Sequence, residues 1–182
     1  KDVDKDEVSK LTDEERVIIE ENIKKNVLST AIAYPNVKFY YFFTPYSCAW
    51  WGRLYKRDGI DRQIDAEKFI IEMILPIKNI YLFSFNNFFE ITSDLNNYKD
   101  AIHYGEWINT DILNNMKNNV GLLTKNNYLK YIDVERKFYK NFDYNSLFNQ
   151  FDDVSSSSTT TSSSSSSSSI NSKSKHQNQS CP

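Results

Sequence analysis

Cysteine is scarce in this chain: among 182 residues only Cys48 and Cys181 carry a thiol, far apart and in unlike surroundings. That excludes a disulfide framework, and no Cys or His spacing suits a metal. Histidine is equally sparse, and His103 is the only one outside the C-terminal tail. No apolar run approaches the ~18 residues needed to cross a bilayer. The opening residues, Lys1 to Asp6, are charged and do not resemble a signal peptide. A formal net charge of -2 supplies no basic face, so nothing argues for nucleic acid as a partner.

What is present divides into unequal parts. From Ser155 to Ser169 every residue is Ser or Thr, and the remainder to Pro182 is polar apart from Ile170 and Cys181. Such a run has no apolar surface to offset its ordering entropy, so 151–182 is expected to be a disordered tail or linker. Residues 1–11 read as a charged lead-in. Residues 12–150 have ordinary apolar content and suffice for one core without disulfides or metals.

Within that stretch, Thr12-Asp-Glu-Glu15 fits a capping box, and Val17, Ile18, Ile23, Val27, Leu28 and Ala31 recur at helical spacing until Pro35. Val37 to Phe43 is β-branched and aromatic and reads as a buried strand. A short helix follows at Trp50 to Tyr55, then an amphipathic one at Asp61 to Leu75. Asn79 to Phe85 is a second strand, followed by a polar loop through Asn97. Further helices are expected at Gly105 to Asn118 and Thr124 to Tyr139, with Phe142 to Phe148 packing back. Alternation of this kind builds an α/β domain with a parallel sheet, the two strands joined by a right-handed crossover. Two strands are few, since such sheets usually have about four or five. The chain also opens without Met. Both features lead to the expectation that an N-terminal portion of the domain precedes Lys1.

In open parallel sheets, ligands bind beyond the carboxyl ends of the strands. That rule selects Thr44 to Trp51 and Asn86 to Tyr104. The second loop holds Asp100-Ala-Ile-His103 before a helix. A carboxylate three residues ahead of an imidazole can accept from Nδ1–H, which leaves Nε2 free to take a proton. Against this, loop Asp–His neighbours are common, and the spacing alone does not specify catalysis. Ser47 and Cys48 on the neighbouring loop are possible nucleophiles, though no activated-nucleophile turn surrounds them. Lining a binding site is the better reading for Ser47. Tyr46, Trp50, Trp51 and Tyr55 form an aromatic group suited to stacking on sugar rings or to packing. Ser84 reads as a packing residue, Asp94 as turn chemistry, and Lys24 and Lys25 as helix-surface charges.

The stretch Asn96 to Asn109 (NNYKDAIHYGEWIN), with Val37 to Ser47 (VKFYYFFTPYS) and Trp50-Trp51 ahead of it, resembles the C-terminal blocks of the SGNH (GDSL-like) hydrolases. The branch most similar is that of the bacterial D-alanyl-lipoteichoic acid transfer proteins. The likeness covers roughly Glu20 to Phe148. It implies a three-layer, flavodoxin-like α/β fold and serine ester chemistry on acyl groups, with His103 as base and Asp100 as its orienting acid. The family's nucleophile turn, Gly-Asp-Ser-like, is absent, and its Gly and Asn oxyanion blocks are not placed. The resemblance thus implies half a site, belonging to an esterase or O-acyltransferase that acts on acyl esters of cell-surface carbohydrate. No cofactor or metal is called for. An extracytoplasmic or secreted location is favoured, and the sequence leaves the oligomeric state open. The alternative is a non-catalytic α/β module that binds carbohydrate or a partner through Tyr46, Trp50 and Trp51.

Overall fold

The computed structural model describes residues 9–147. The Ser/Thr run and the first charged residues, for which a disordered tail and a lead-in were expected, lie outside the described residues.

Thr12 caps the first helix, α1 (Asp13–Ile23), through a reciprocal capping box with Glu15. The single helix expected from Thr12 to Ala31 is interrupted. Lys24–Leu28 is a π-helical turn, and α2 (Ser29–Ala33) resumes after it. No buried residue lies in α1 or in that turn, so packing does not enforce one uniform winding there.

β1 (Phe39–Phe43) and β2 (Ile80–Ser84) pair in parallel, with Phe39 opposite Ile80 and Phe43 opposite Ser84. Between them run α3 (Cys48–Tyr55) and α4 (Ile60–Ile74). Asn79 sets where β2 begins: its Nδ2 donates to the carbonyls of Ala31, Tyr34 and Val37, tying the end of α2 to the sheet. The segment read as a polar loop after β2 is partly helical, with α5 (Phe89–Ser93) and a 3₁₀ turn at Leu95–Asn97. α6 (Glu106–Lys117) and α7 (Tyr128–Asn141) complete the described elements. α7 starts four residues later than the apolar spacing suggests. Thr124 N–H donates to Asn127 Oδ1 at 2.7 Å, which makes this segment a lead-in turn.

Side chains on β2 alternate between two cores, as a pleated strand requires. Leu82 joins Trp51, Ile64, Ile71, Ile132 and Tyr139 from α3, α4 and α7. Phe83 and Phe85 join Ile108 and Ile112 of α6. The outer edge of β2 is closed by the segment around Gly121: Ser84 N–H donates to Gly121 O at 3.0 Å and Leu123 N–H to Leu82 O at 2.8 Å. Gly121 has φ +83, and a Cβ there would lie 2.8 Å from Ser84 O, so only glycine fits without a shift. The other edge of β1 has no partner strand among the described residues. On the α6 side of β1, Tyr40 and Phe42 remain 51% and 37% exposed while touching Tyr81 and Phe85. No helix among the described residues is long and apolar enough to cross a membrane.

Candidate functional site

Parallel pairing puts the segments leaving β1 and β2 at the same edge of the sheet, and hydrogen bonds join them. Ser47 is the N-cap of α3 and is wholly buried. Its Oγ accepts from Trp50 N–H at 3.3 Å and donates to Ala101 O at 2.7 Å. Its backbone N–H donates to the same carbonyl at 3.3 Å. Tyr98 adds a second tie, its hydroxyl donating to Pro45 O at 2.6 Å. Burial raises the Tyr98 phenol above its ordinary value, which keeps that donor protonated.

Residues 98–104 close on themselves. Tyr98 and Tyr104 form an antiparallel bridge, Lys99 N–H donates to His103 O at 2.8 Å, and Gly105 N–H donates to Asn97 O at 2.7 Å. Asp100 stands at the corner. Its Oδ1 accepts from the backbone N–H of Ile102 and of His103, each at 2.9 Å, and its Oδ2 lies 2.7 Å from His103 Nδ1. The Ile102 amide, then the His103 imidazole and the His103 amide, hold the Asp100 carboxyl down at about 2. The group is therefore an anion that can only accept, which assigns the proton to Nδ1. Nε2 has no hydrogen-bond partner among the described residues. The imidazole and carboxylate side chains are 69% and 50% exposed. Such a pair can take a proton at Nε2 while the carboxylate holds the ring's orientation.

Other residues proposed from the sequence fall elsewhere. Ser47 does not line a substrate surface: its hydroxyl is buried and engaged, and it anchors the Asp100–His103 loop. Trp51 is also interior, stacked on Tyr139 with ring centroids 4.0 Å apart. Tyr46 and Trp50 pack at 4.6 Å and are half-buried, so part of each ring still faces outward. Tyr55 packs against Tyr144 with the rings tilted by 34°. Cys48 is buried and desolvation pushes its thiol up to about 12, so no thiolate is available to attack an ester. Ser47 is not among the residues lining the cleft nearest this loop. That cleft, of about 380 Å³, lies against Asp100, lined by Ala49, Arg53, Leu95, Tyr98, Lys99 and Ala101.

Tyr98 as a tether and Arg53 and Lys99 beside Asp100 were not found by sequence reasoning. No spacing rule links a tyrosine to a carbonyl 53 positions away. Among the described residues no group of three or more His, Cys, Asp or Glu could hold a metal ion. Comparison with family models, with curated proteins and with solved structures finds no match to this chain.

Proposed function

We propose that residues 12–150 are the C-terminal part of a three-layer, flavodoxin-like SGNH-type domain. In this reading, Asp100 and His103 serve a serine esterase or O-acyltransferase acting on acyl esters, with cell-surface carbohydrate as the ester's carrier. The observation that carries it is the 2.7 Å His103–Asp100 contact on an exposed loop at the carboxyl edge of parallel strands. Nε2 would accept the proton of an attacking serine and return it to the leaving alcohol. Asp100 would stabilise the imidazolium formed between the two steps. Tyr46 and Trp50 offer aromatic surface for a sugar ring. Ser47 is buried and engaged and the Cys48 thiol is held protonated, so in this reading neither is the nucleophile, and the attacking hydroxyl and oxyanion donors are supplied by other residues.

The test is hydrolysis of activated acyl esters such as p-nitrophenyl acetate. The chain alone is expected to match its His103→Ala variant, since a base without a nucleophile and oxyanion donors forgoes ~3–4 kcal/mol per missing donor. Supplied with an upstream segment bearing a Gly-Asp-Ser-like turn, it should turn over ester in a His103-dependent way. His103-dependent hydrolysis by the chain alone would mean that its own residues supply the nucleophile. Glycan binding through Tyr46 and Trp50, with an extended protein inert on every ester, would establish the non-catalytic module instead.

A further inference from the structure

Below the carboxyl end of β2 lies a second group of polar side chains, shut away from water. Glu67 of α4 is 4% exposed and Glu135 of α7 is 0% exposed. The two carboxyls face each other across the α4–α7 contact. Glu67 accepts from Gln63 Nε2 at 3.1 Å and from Asn86 Nδ2 at 3.0 Å. Among the described residues, both oxygens of Glu135, Asn86 Oδ1 and Ser84 Oγ have no partner in good hydrogen-bond geometry, although Asn86 lies near enough to Glu135, and Tyr131 to Ser84, to interact with them. Arg136, whose charge acts on Glu135, is paired with Asp61 and Asp65. The other ionisable groups that face the pair are Tyr131 and Tyr139 of α7, with Cys48 of α3 behind Tyr139. All three are neutral in their ordinary forms, and none brings a positive charge.

Two ionised carboxylates in that space would repel each other, and Arg136, already paired with Asp61 and Asp65, offsets them only weakly. A proton between them removes one charge and supplies the missing donor. We propose that Glu67 and Glu135 share one proton and act as a pH-sensitive clasp that holds α7 to α4 and to the chain leaving β2. That chain is gripped by α7 directly. Tyr139 donates its hydroxyl to Asn86 O at 2.6 Å, Asn87 N–H donates to Tyr131 OH at 2.8 Å, and Asn87 Nδ2 donates to Tyr131 O at 3.0 Å. Asn86 and Asn87 begin the segment that ends in Asp100 and His103, so the clasp bears on the position of that loop. It does so whether or not the loop is catalytic.

The sign follows from proton linkage. Burial, and for Glu135 the charge of Glu67, raise both acids above the ordinary glutamate value. The folded protein then keeps a proton that the unfolded chain loses near about pH 4.3. Stability from this source is complete below that pH and declines as pH rises toward the pair's folded value.

Urea unfolding of the full chain at pH 5 to 9 tests the clasp. In the wild type the folded-to-unfolded ratio should fall by up to about tenfold per pH unit over the early part of that range. E135Q, which keeps the shape of the protonated acid and a permanent donor, should vary by less than twofold and equal or exceed the wild type at pH 8. An infrared band of a protonated carboxylic acid should be present at pH 6 in the wild type and absent in E135Q. An unchanged slope in E135Q overturns the proposal, as does a wild type without that band at pH 6. Should E135Q fail to fold, E67Q and the wild-type infrared spectrum decide the matter alone.

Discussion

Two acid pairs sit near the same edge of the sheet, and their environments drive them in opposite directions. Asp100 lies half in water and collects two backbone N–H donors and an imidazole, which hold it at about 2. Glu135 lies in the interior with a second carboxyl opposite, and burial first, then the charge of Glu67, raise it well above its ordinary value. Both are carboxyls in a chain of near-zero net charge. Their different behaviour comes from solvent and from the count of donors. One pair is built to stay charged and keep its neighbour oriented, whereas the other can exist only with a proton added.

The sharpest contrast should appear in stability. Trp51→Ala removes the wholly buried ring that stacks on Tyr139 in the interior core, and should cost about 3–5 kcal/mol by urea unfolding. His103→Ala, at the exposed pair, should leave the urea midpoint unchanged. If the two substitutions destabilised equally, the division into a structural interior pair and a surface chemical pair would fail.

The same division marks what the sequence discloses. Asp100 and His103 are three residues apart, and a turn of that length brings them together without help from the rest of the fold. The strands and their parallel pairing were legible because VKFYYFF and NIYLFSF are β-rich runs separated by a helix-length connection. Glu67 and Glu135 were not singled out in the sequence, and only the packing of α4 on α7 buries them. Trp51 was open to a better reading. Cys48, Trp51 and Gly52 stand at helical spacing on the inward face of α3, a pattern that assigns the indole to the core. The π-helical turn at Lys24–Leu28 left no trace in composition, because its residues favour an α-helix equally well.

A middle-sized effect tests how the surface pair is held. Ser47→Ala removes the side-chain cap of α3 and the hydroxyl's bond to Ala101 O, leaving the backbone one, and should cost about 1–2 kcal/mol. Amide exchange should quicken at Ile102 and His103 more than in α6. Tyr98→Phe, which removes only the Pro45 tie, should cost about 1 kcal/mol with the same pattern of exchange. Uniform loosening across the domain would show that these residues support α3 alone and leave the Asp100–His103 loop unaffected.

The smallest effect is expected at the acid end, where the surface pair alone should respond. Because the folded value of Asp100 lies near 2 against an ordinary 3.8, its contribution is present above about pH 4 and is lost as pH falls toward 2. The interior glutamates work over a different range, gaining stability as pH falls toward about 4.3 and adding no further change below it. Asp61 and Asp143 are also lowered, so the whole acid limb cannot be credited to Asp100. The difference between wild type and Asp100→Asn isolates it. Asparagine cannot ionise, so the gap in urea midpoint between the two proteins should be largest near pH 5 and close as pH approaches 2. A gap that stays constant from pH 5 to 2 would mean that the carboxylate charge contributes nothing. The Asp100 turn would then be held by geometry that an amide reproduces equally well.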